Sequence, residues 1–299
     1  MRKLRVVMID GFKPAYLAYA PYLRSLVEQH QWGSLEMTPG HWGCIQTLFE
    51  GRSSILSIFY KHKPTLRFIR KFLFLRFFGG VGRLLIDMLI NFPRFLRGEE
   101  LFKTGKIPLR QLSSMDISVG KHFAKKKWIS FSYFGALDEL GHLYGPTSEE
   151  IKKAVRKIDA QLAGKKFDLI FSDHGMVAVE KVVEVPITRD CFIDSDMARY
   201  WGEEKILAEI KKNLPLDDGA ILDWPDKQFG ELIFMARNGV LLYPNFFNKK
   251  IVKGMHGYDG KHPDMLAFYV LNKKGTRKDL KVHELHTQLM EMKKQYGIS

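Results

Sequence analysis

Apolar positions along this chain come in short unbroken runs separated by amphipathic stretches. Leu4 to Ile9 is apolar except at Arg5 and reads as a buried strand. Pro14 can open the next helix, expected to reach about His30 with Leu17, Leu23, Leu26 and Val27 on its inner side. Ser34 to Met37 is the second strand. Pro39-Gly40 breaks the chain, and Cys44 to Glu50 opens a short helix with Thr47 in its first turns. Trp128 to Phe134 and Phe167 to Phe171 are further strands. Between them Thr147-Ser148-Glu149-Glu150 has the cap and acidic first turn of a helix, which ends at Gly164. A helix over Glu203 to Asn213, a strand pair around Asn238-Gly239 with a hairpin signal, a strand over Leu266 to Leu271 and a closing helix over Leu280 to Gln295 complete the pattern. Strands alternating with helices predict an α/β three-layer sandwich, with a mostly parallel central sheet and helices on both faces.

Residues 61–112 break this rhythm. Lys61, Lys63, Arg67, Arg70, Lys71 and Arg76 are interleaved with Phe68, Phe72, Phe74, Phe77 and Phe78, and Gly79-Gly80 and Pro93 divide the stretch. It reads as an insertion in a single domain spanning 1–299. A second insertion of strands lies at about 182–255. Together they form a small helical and strand cap. Three readings compete for the Phe/Lys/Arg segment: a helical cap, an element of a membrane interface, or a nucleic-acid contact. No recognisable nucleic-acid-binding motif supports the last.

The composition sharpens this picture. At 299 residues, 45% hydrophobic and 13% aromatic, the chain can bury a large core and is not disordered. A net charge of +14 calls for an anionic partner. Cys44 and Cys191 are the only cysteines and give no disulfide framework. The apolar run at the N-terminus is too short for a secretory segment, and no stretch approaches the roughly 18 apolar residues of a membrane span. These features predict a cytoplasmic protein, with peripheral contact at the inner membrane face as a further expectation.

Four separated fragments carry chemistry: Ile9-Asp10-Gly11, Asp138-Glu139-Leu140-Gly141-His142, Asp173-His174-Gly175 and Met255-His256-Gly257. Thr47 lies between the first two. Three Asp, three His and one hydroxyl make a ligand set for two divalent cations plus a nucleophile. Carboxylate oxygen and imidazole nitrogen suit Zn²⁺, with Mn²⁺ as the alternative, better than Ca²⁺. Each fragment alone has a plainer reading: Asp10 as a helix cap, Asp138 and His142 as a pair on one helical face, Thr47 as a back-bonding residue. His283 and His286, three apart on a charged helix, read as a solvated face.

In order and approximate spacing the fragments resemble the alkaline phosphatase superfamily, and within it the type I phosphodiesterase/nucleotide pyrophosphatase branch. The motifs span residues 10 to 257, so the resemblance covers most of the chain. It implies an alkaline phosphatase-like fold in which Asp138, His142 and His256 hold one ion. Asp10, Asp173 and His174 hold the other, with Thr47 as the nucleophile bound to it. Such a site cleaves phosphoesters through a covalent phosphothreonine. The sequence departs from the branch at Cys44-Ile45-Gln46, where an Asn-His-Tyr run is usual. In place of a later Asn it offers Lys61, Lys63 and Arg67 as phosphate contacts, and His41 can line the pocket. The sulfatase pattern is absent. The expected function is therefore metal-dependent phosphodiester hydrolysis, on a phosphorylated small molecule, a glycan or a lipid-linked phosphate. The alternatives are a phosphomonoesterase, a phosphotransferase or mutase on the same site, and a non-catalytic polyanion- or membrane-binding protein.

Overall fold

The computed structural model describes residues 2–37, 47–49, 51, 71–78, 85, 128–224, 227, 229–245 and 250–298. In chain order its strands and helices begin with β1 (Leu4–Ile9), α1 (Pro21–Val27), β2 (Gln31–Glu36) and β3 (Ile129–Phe134). Next come α2 (Ala136–Tyr144), α3 (Glu149–Leu162), β4 (Leu169–Phe171), β5 (Val177–Ala178) and β6 (Lys181–Val183). The second half holds β7 (Cys191–Ile193), β8 (Met197–Tyr200), α4 (Glu204–Lys212), β9 (Gly219–Leu222), β10 (Leu232–Ala236) and β11 (Val240–Leu242). It closes with β12 (Gly254–Met255), β13 (Ala267–Leu271), β14 (Leu280–Lys281) and α5 (Val282–Gln295).

The central sheet has six strands in the order β14-β2-β13-β4-β1-β3. β1 runs parallel to both β3 and β4, while β13 is antiparallel to both of its neighbours. Its central strands are apolar on both faces, as a sheet covered on two sides must be. Leu4, Val6 and Met8 of β1 pack with Leu285, Leu289 and Met292 of α5 on one face. Val7 and Ile9 pack on the other with Leu23 of α1 and Ile151, Val155 and Ile158 of α3. These are the three layers read from the sequence, and each fully buried large side chain contributes roughly 1.5–3 kcal/mol. Ser148 caps α3 by accepting from the Ile151 amide, as its position before the acidic turn predicts.

The strands within 182–255 build a second sheet, ordered β7-β8-β10-β9, over a separate apolar cluster around Tyr200, Phe234 and Leu241. Three sequence readings change here. The helix expected from Pro14 to His30 is split into a 3-10 turn over Pro14–Tyr19 and α1, because Pro21 has no amide hydrogen to continue it. The hairpin at Asn238-Gly239 is not formed. β10 pairs with β8 and β9, while β11 crosses to run parallel to β6. The turn joins two sheets, so a local turn signal gave the bend but not the pairing. His286 is half-buried rather than fully solvated, and its Nδ1 donates to the Leu48 carbonyl at 2.7 Å. Most of 61–112 lies outside the described residues. Within it, Leu73–Phe78 forms a 3-10 turn that leaves Phe74 and Phe78 exposed. Among the described residues no helix is long and apolar enough to cross a membrane.

Candidate metal centre

Three parallel strands end side by side, and a carboxylate follows each of them in the chain. Ile9 of β1 is in register with Phe134 of β3, and the Asp10 amide donates to the Phe134 carbonyl at 2.9 Å. α2 starts just beyond, which puts Asp138 in its first turn, where the helix dipole favours negative charge. His142 follows one turn later on the same face. Met8 is in register with Phe171 of β4, so Asp173 and His174 emerge beside Asp10. The carboxyl ends of parallel strands are where open α/β sheets place ligands. The ribbon formed by β5 and β12 pairs Val177 with Met255 and so carries His256 back to His174. Gly11 makes the approach possible. Its φ is 72°, and a Cβ there would sit 3.4 Å from the Asp138 backbone.

The side chains converge into two overlapping sets. The ligand atoms of Asp10, Asp173 and His174 lie within 4.8 Å of one another, as do those of Asp138, His174 and His256. His174 is common to both, where the sequence reading gave it to one. His142 Nε2 stands 3.3 Å from Asp138 Oδ1, and His256 Nε2 is at the same 3.3 Å. His174 Nε2 is 3.2 Å from Asp10 Oδ1. His142 and His174 each point Nδ1 at a carbonyl, of Gly254 and Gly175 respectively, at 2.8 Å. A carbonyl only accepts, so Nδ1 carries hydrogen in both rings and Nε2 faces the carboxylates.

The electrostatics mark a site built for positive charge. Burial pushes the Asp173 carboxyl well above its ordinary range, and the neighbouring Asp10 adds to the effect. Burial opposes charge on His174, but Asp173 and Asp10 outweigh it and raise the imidazole to about 10. Burial also resists ionisation of Asp138, yet His142 and His256 hold it well below the usual carboxylate value. Asp10 Oδ1, Asp138 Oδ1, Asp173 Oδ1 and His174 Nε2 are buried and make no hydrogen bond. Leaving buried polar atoms without a hydrogen bond costs about 1–3 kcal/mol each. Divalent cations would satisfy all four, and the oxygen and nitrogen donors fit Zn²⁺ or Mn²⁺.

Two supporting residues escaped the sequence reading. The Tyr133 hydroxyl donates to Asp10 Oδ2 at 2.5 Å, which leaves Oδ1 turned to the imidazoles. Lys13 is buried and bridges Asp264 Oδ1 at 2.6 Å and the Met176 carbonyl at 3.2 Å, tying the loop after β1 to the loops around His174. Tyr133 was visible only as one more aromatic in a strand, and Lys13 as one more cation among many. Thr47 is buried at the start of the described helical turn 47–49. That turn sets Phe49 edge-on to Phe171, two residues before Asp173, with ring centroids 5.8 Å apart. His41, Lys61, Lys63 and Arg67 lie outside the described residues.

Comparison with known proteins agrees with this architecture. Residues 119–213 match the family model described as type I phosphodiesterase / nucleotide pyrophosphatase, a span that includes Asp138, His142, Asp173 and His174. The fold is similar to that of murine ectonucleotide pyrophosphatase / phosphodiesterase 5, solved as an inactive variant in complex with AMP. That match has a TM-score of 0.65 at 16% identity, over 98% of this chain and 95% of the other. The human counterpart matches with a TM-score of 0.62 at 15% identity, over 97% and 94% of the two chains. These relatives are named ectoenzymes, which overturns the expectation of a cytoplasmic protein at the inner membrane face. The expectation leaned on the short apolar run at the N-terminus and on a low cysteine count, yet a fold with a core this large needs no disulfides in any compartment. Residues 119–213 thus resemble the type I phosphodiesterase / nucleotide pyrophosphatase family of the alkaline phosphatase superfamily, and the chain as a whole shares the fold of the murine and human proteins.

Proposed function

We propose that this chain is a metal-dependent phosphoester hydrolase that acts first on phosphodiesters, with Thr47 as its nucleophile. The observation that carries the reading is the convergence of two Asp/His sets on buried donor atoms that no hydrogen bond satisfies. In this reading Asp10, Asp173 and His174 hold one ion, Asp138, His142 and His256 hold the other, and His174 lies between them. When bound, two divalent ions, Zn²⁺ first and Mn²⁺ second, supply Lewis-acid charge to phosphoryl oxygens and ease ionisation of a hydroxyl.

The Thr47 hydroxyl attacks phosphorus, the leaving alcohol departs in line, and water then cleaves the phosphothreonine ester. The hydroxyl proton ends on solvent and the leaving oxygen regains one. Asp10 keeps its geometry through Tyr133, and His142 and His174 keep theirs through carbonyl partners. AMP in the murine relative, and the inactivity of that relative with a threonine changed to alanine, support a small phosphorylated ligand and a working threonine. The segments 61–112 and 182–255 are read as caps over the site, with His41, Lys61, Lys63 and Arg67 as substrate contacts. The exposed Phe74 and Phe78 suit a lipid-linked or glycan phosphate presented at an anionic surface.

The test is hydrolysis of a chromogenic phosphodiester and its monoester, with Zn²⁺, Mn²⁺ or chelator, in wild type and Thr47→Ala. Metal-dependent diester cleavage lost in the variant is the expected result. Faster monoester cleavage moves the reading to a phosphatase or mutase. Full activity in Thr47→Ala rejects the nucleophile.

A further inference from the structure

We propose that His286, on the closing helix, is a positioning residue that orients Thr47 by clamping the helical turn on which it sits. The proposal rests on the reading of Thr47 as nucleophile, but the clamp itself has a readout that needs no substrate.

The last carbonyls of a helix lack intrahelical donors. The Gly51 amide makes the helical i+4 to i bond to the Thr47 carbonyl at 3.1 Å. The Leu48 carbonyl takes a donor from a different element. His286 Nδ1 donates to the Leu48 carbonyl at 2.7 Å. The imidazole also abuts Gly51, whose φ is 66°. A Cβ at Gly51 would fall 2.8 Å from His286 Nε2, so the ring occupies the space a side chain would need. Leu48 and Phe49 are buried with Leu285 and Leu289, the residues flanking His286 on the inner face of α5. On the other side Phe49 meets Phe171, at the end of the strand that leads to Asp173.

The turn is therefore held between α5 and β4. Apolar contacts are not directional, so they fix where the turn sits without fixing its rotation. The hydrogen bond from His286 is directional and sets that rotation. With Thr47 read as the nucleophile, rotation of the turn changes the direction in which its hydroxyl points. Misplacement of a reacting group by about 1 Å can cost on the order of 100-fold in rate. This gives a role to a histidine that touches neither a metal ligand nor the hydroxyl itself.

The experiment compares His286→Ala and His286→Asn with wild type, with Thr47→Ala alongside. Asn can place its side-chain amide where Nδ1 stands, whereas Ala cannot. His286→Ala is expected to lose roughly 10- to 100-fold in kcat with KM and bound metal unchanged. Hydrogen–deuterium exchange of the peptide spanning residues 47–51 should be faster in the same variant. His286→Asn should restore most of both. Wild-type kcat with unchanged exchange in His286→Ala overturns the proposal. Equal losses in Ala and Asn also overturn it, because the ring would then serve packing alone. If Thr47→Ala turns over like wild type, the nucleophile reading fails, while exchange over 47–51 still decides the clamp.

Discussion

The imidazoles of His174 and His256 stack face to face, with centroids 3.6 Å apart and planes within 9° of parallel. Both rings aim Nε2 at Asp138 Oδ1, at 3.9 and 3.3 Å. The stack joins the loop after β4 to the segment after β12, so the two ligand sets share a wall. Loss of a ligand from one set should spare the ion of the other. His174→Ala and Asp173→Asn, both in the set with Asp10, are each expected to retain one ion after gel filtration. Elemental analysis of the two variants makes the comparison. Loss of both ions in either variant would show that the two sets depend on each other.

Tyr133 acts on the centre through Asp10. Its hydroxyl occupies Oδ2 and so directs Oδ1 inward. Partners of this kind typically contribute 10- to 100-fold to metal affinity. Tyr133→Phe keeps the ring and removes the bond, so Zn²⁺ affinity should fall about 10-fold with little change in Tm. Competition with a chromogenic chelator measures it. An unchanged affinity would leave Tyr133 as a strand-end packing residue.

At the opposite end of the same strands, Asp168 pins β1 to the start of β4. Its carboxylate takes Arg5 Nε at 2.9 Å and Arg5 Nη2 at 3.0 Å, and also accepts the Arg5 amide at 2.8 Å. Burial favours the neutral acid, but the Arg5 hydrogen bonds outweigh it and hold the pKa below the ordinary value of 3.8. A depressed carboxylate stabilises the fold above the unfolded pKa, and that stability is lost as pH falls through the folded value. Asp168→Asn should cost about 1–2 kcal/mol at pH 7, discounted for the part-exposed Arg5. Urea titrations should show the gap closing toward pH 3. A gap of the same size at both pH values would assign the effect to packing.

Much of this was legible because the chemistry sits at strand ends. Asp10, Asp138 and Asp173 each follow an apolar run, and a parallel sheet brings such ends together without further information. The approach of His174 to His256 and the second set was not legible. It depends on the β5–β12 ribbon, two residues long on each strand, which has no periodicity to read. Tyr133 and His286 were missed for a related reason. One is an aromatic in an aromatic strand and the other a polar residue on a polar helix face, and only the partner across space separates function from pattern. The Asn238-Gly239 turn shows the converse. A correct local bend was joined to a wrong partner, because pairing is decided by which sheet each strand can bury against.

Gly175 tests how tightly the loop around His174 is packed. A Cβ there would lie 2.2 Å from the Asp264 carbonyl oxygen, a backbone atom fixed by the Gly175 amide bonding to the Met265 carbonyl at 3.0 Å. Gly175→Ala should lose about 1–3 kcal/mol of stability and weaken metal binding at the same time. Chemical denaturation in chelator separates the two losses. Wild-type stability in that variant would mean the loop relaxes freely.

The central claim is that Thr47 forms a covalent bond to phosphorus in a centre that needs its metal ions. Its most direct test is acid quenching during turnover of a chromogenic phosphodiester, followed by peptide mass mapping. The account predicts an adduct on Thr47 equal in mass to the substrate phosphoryl group without its leaving alcohol, absent with chelator and absent in Thr47→Ala. Turnover with the adduct on another residue, or undiminished turnover in Thr47→Ala, would contradict it.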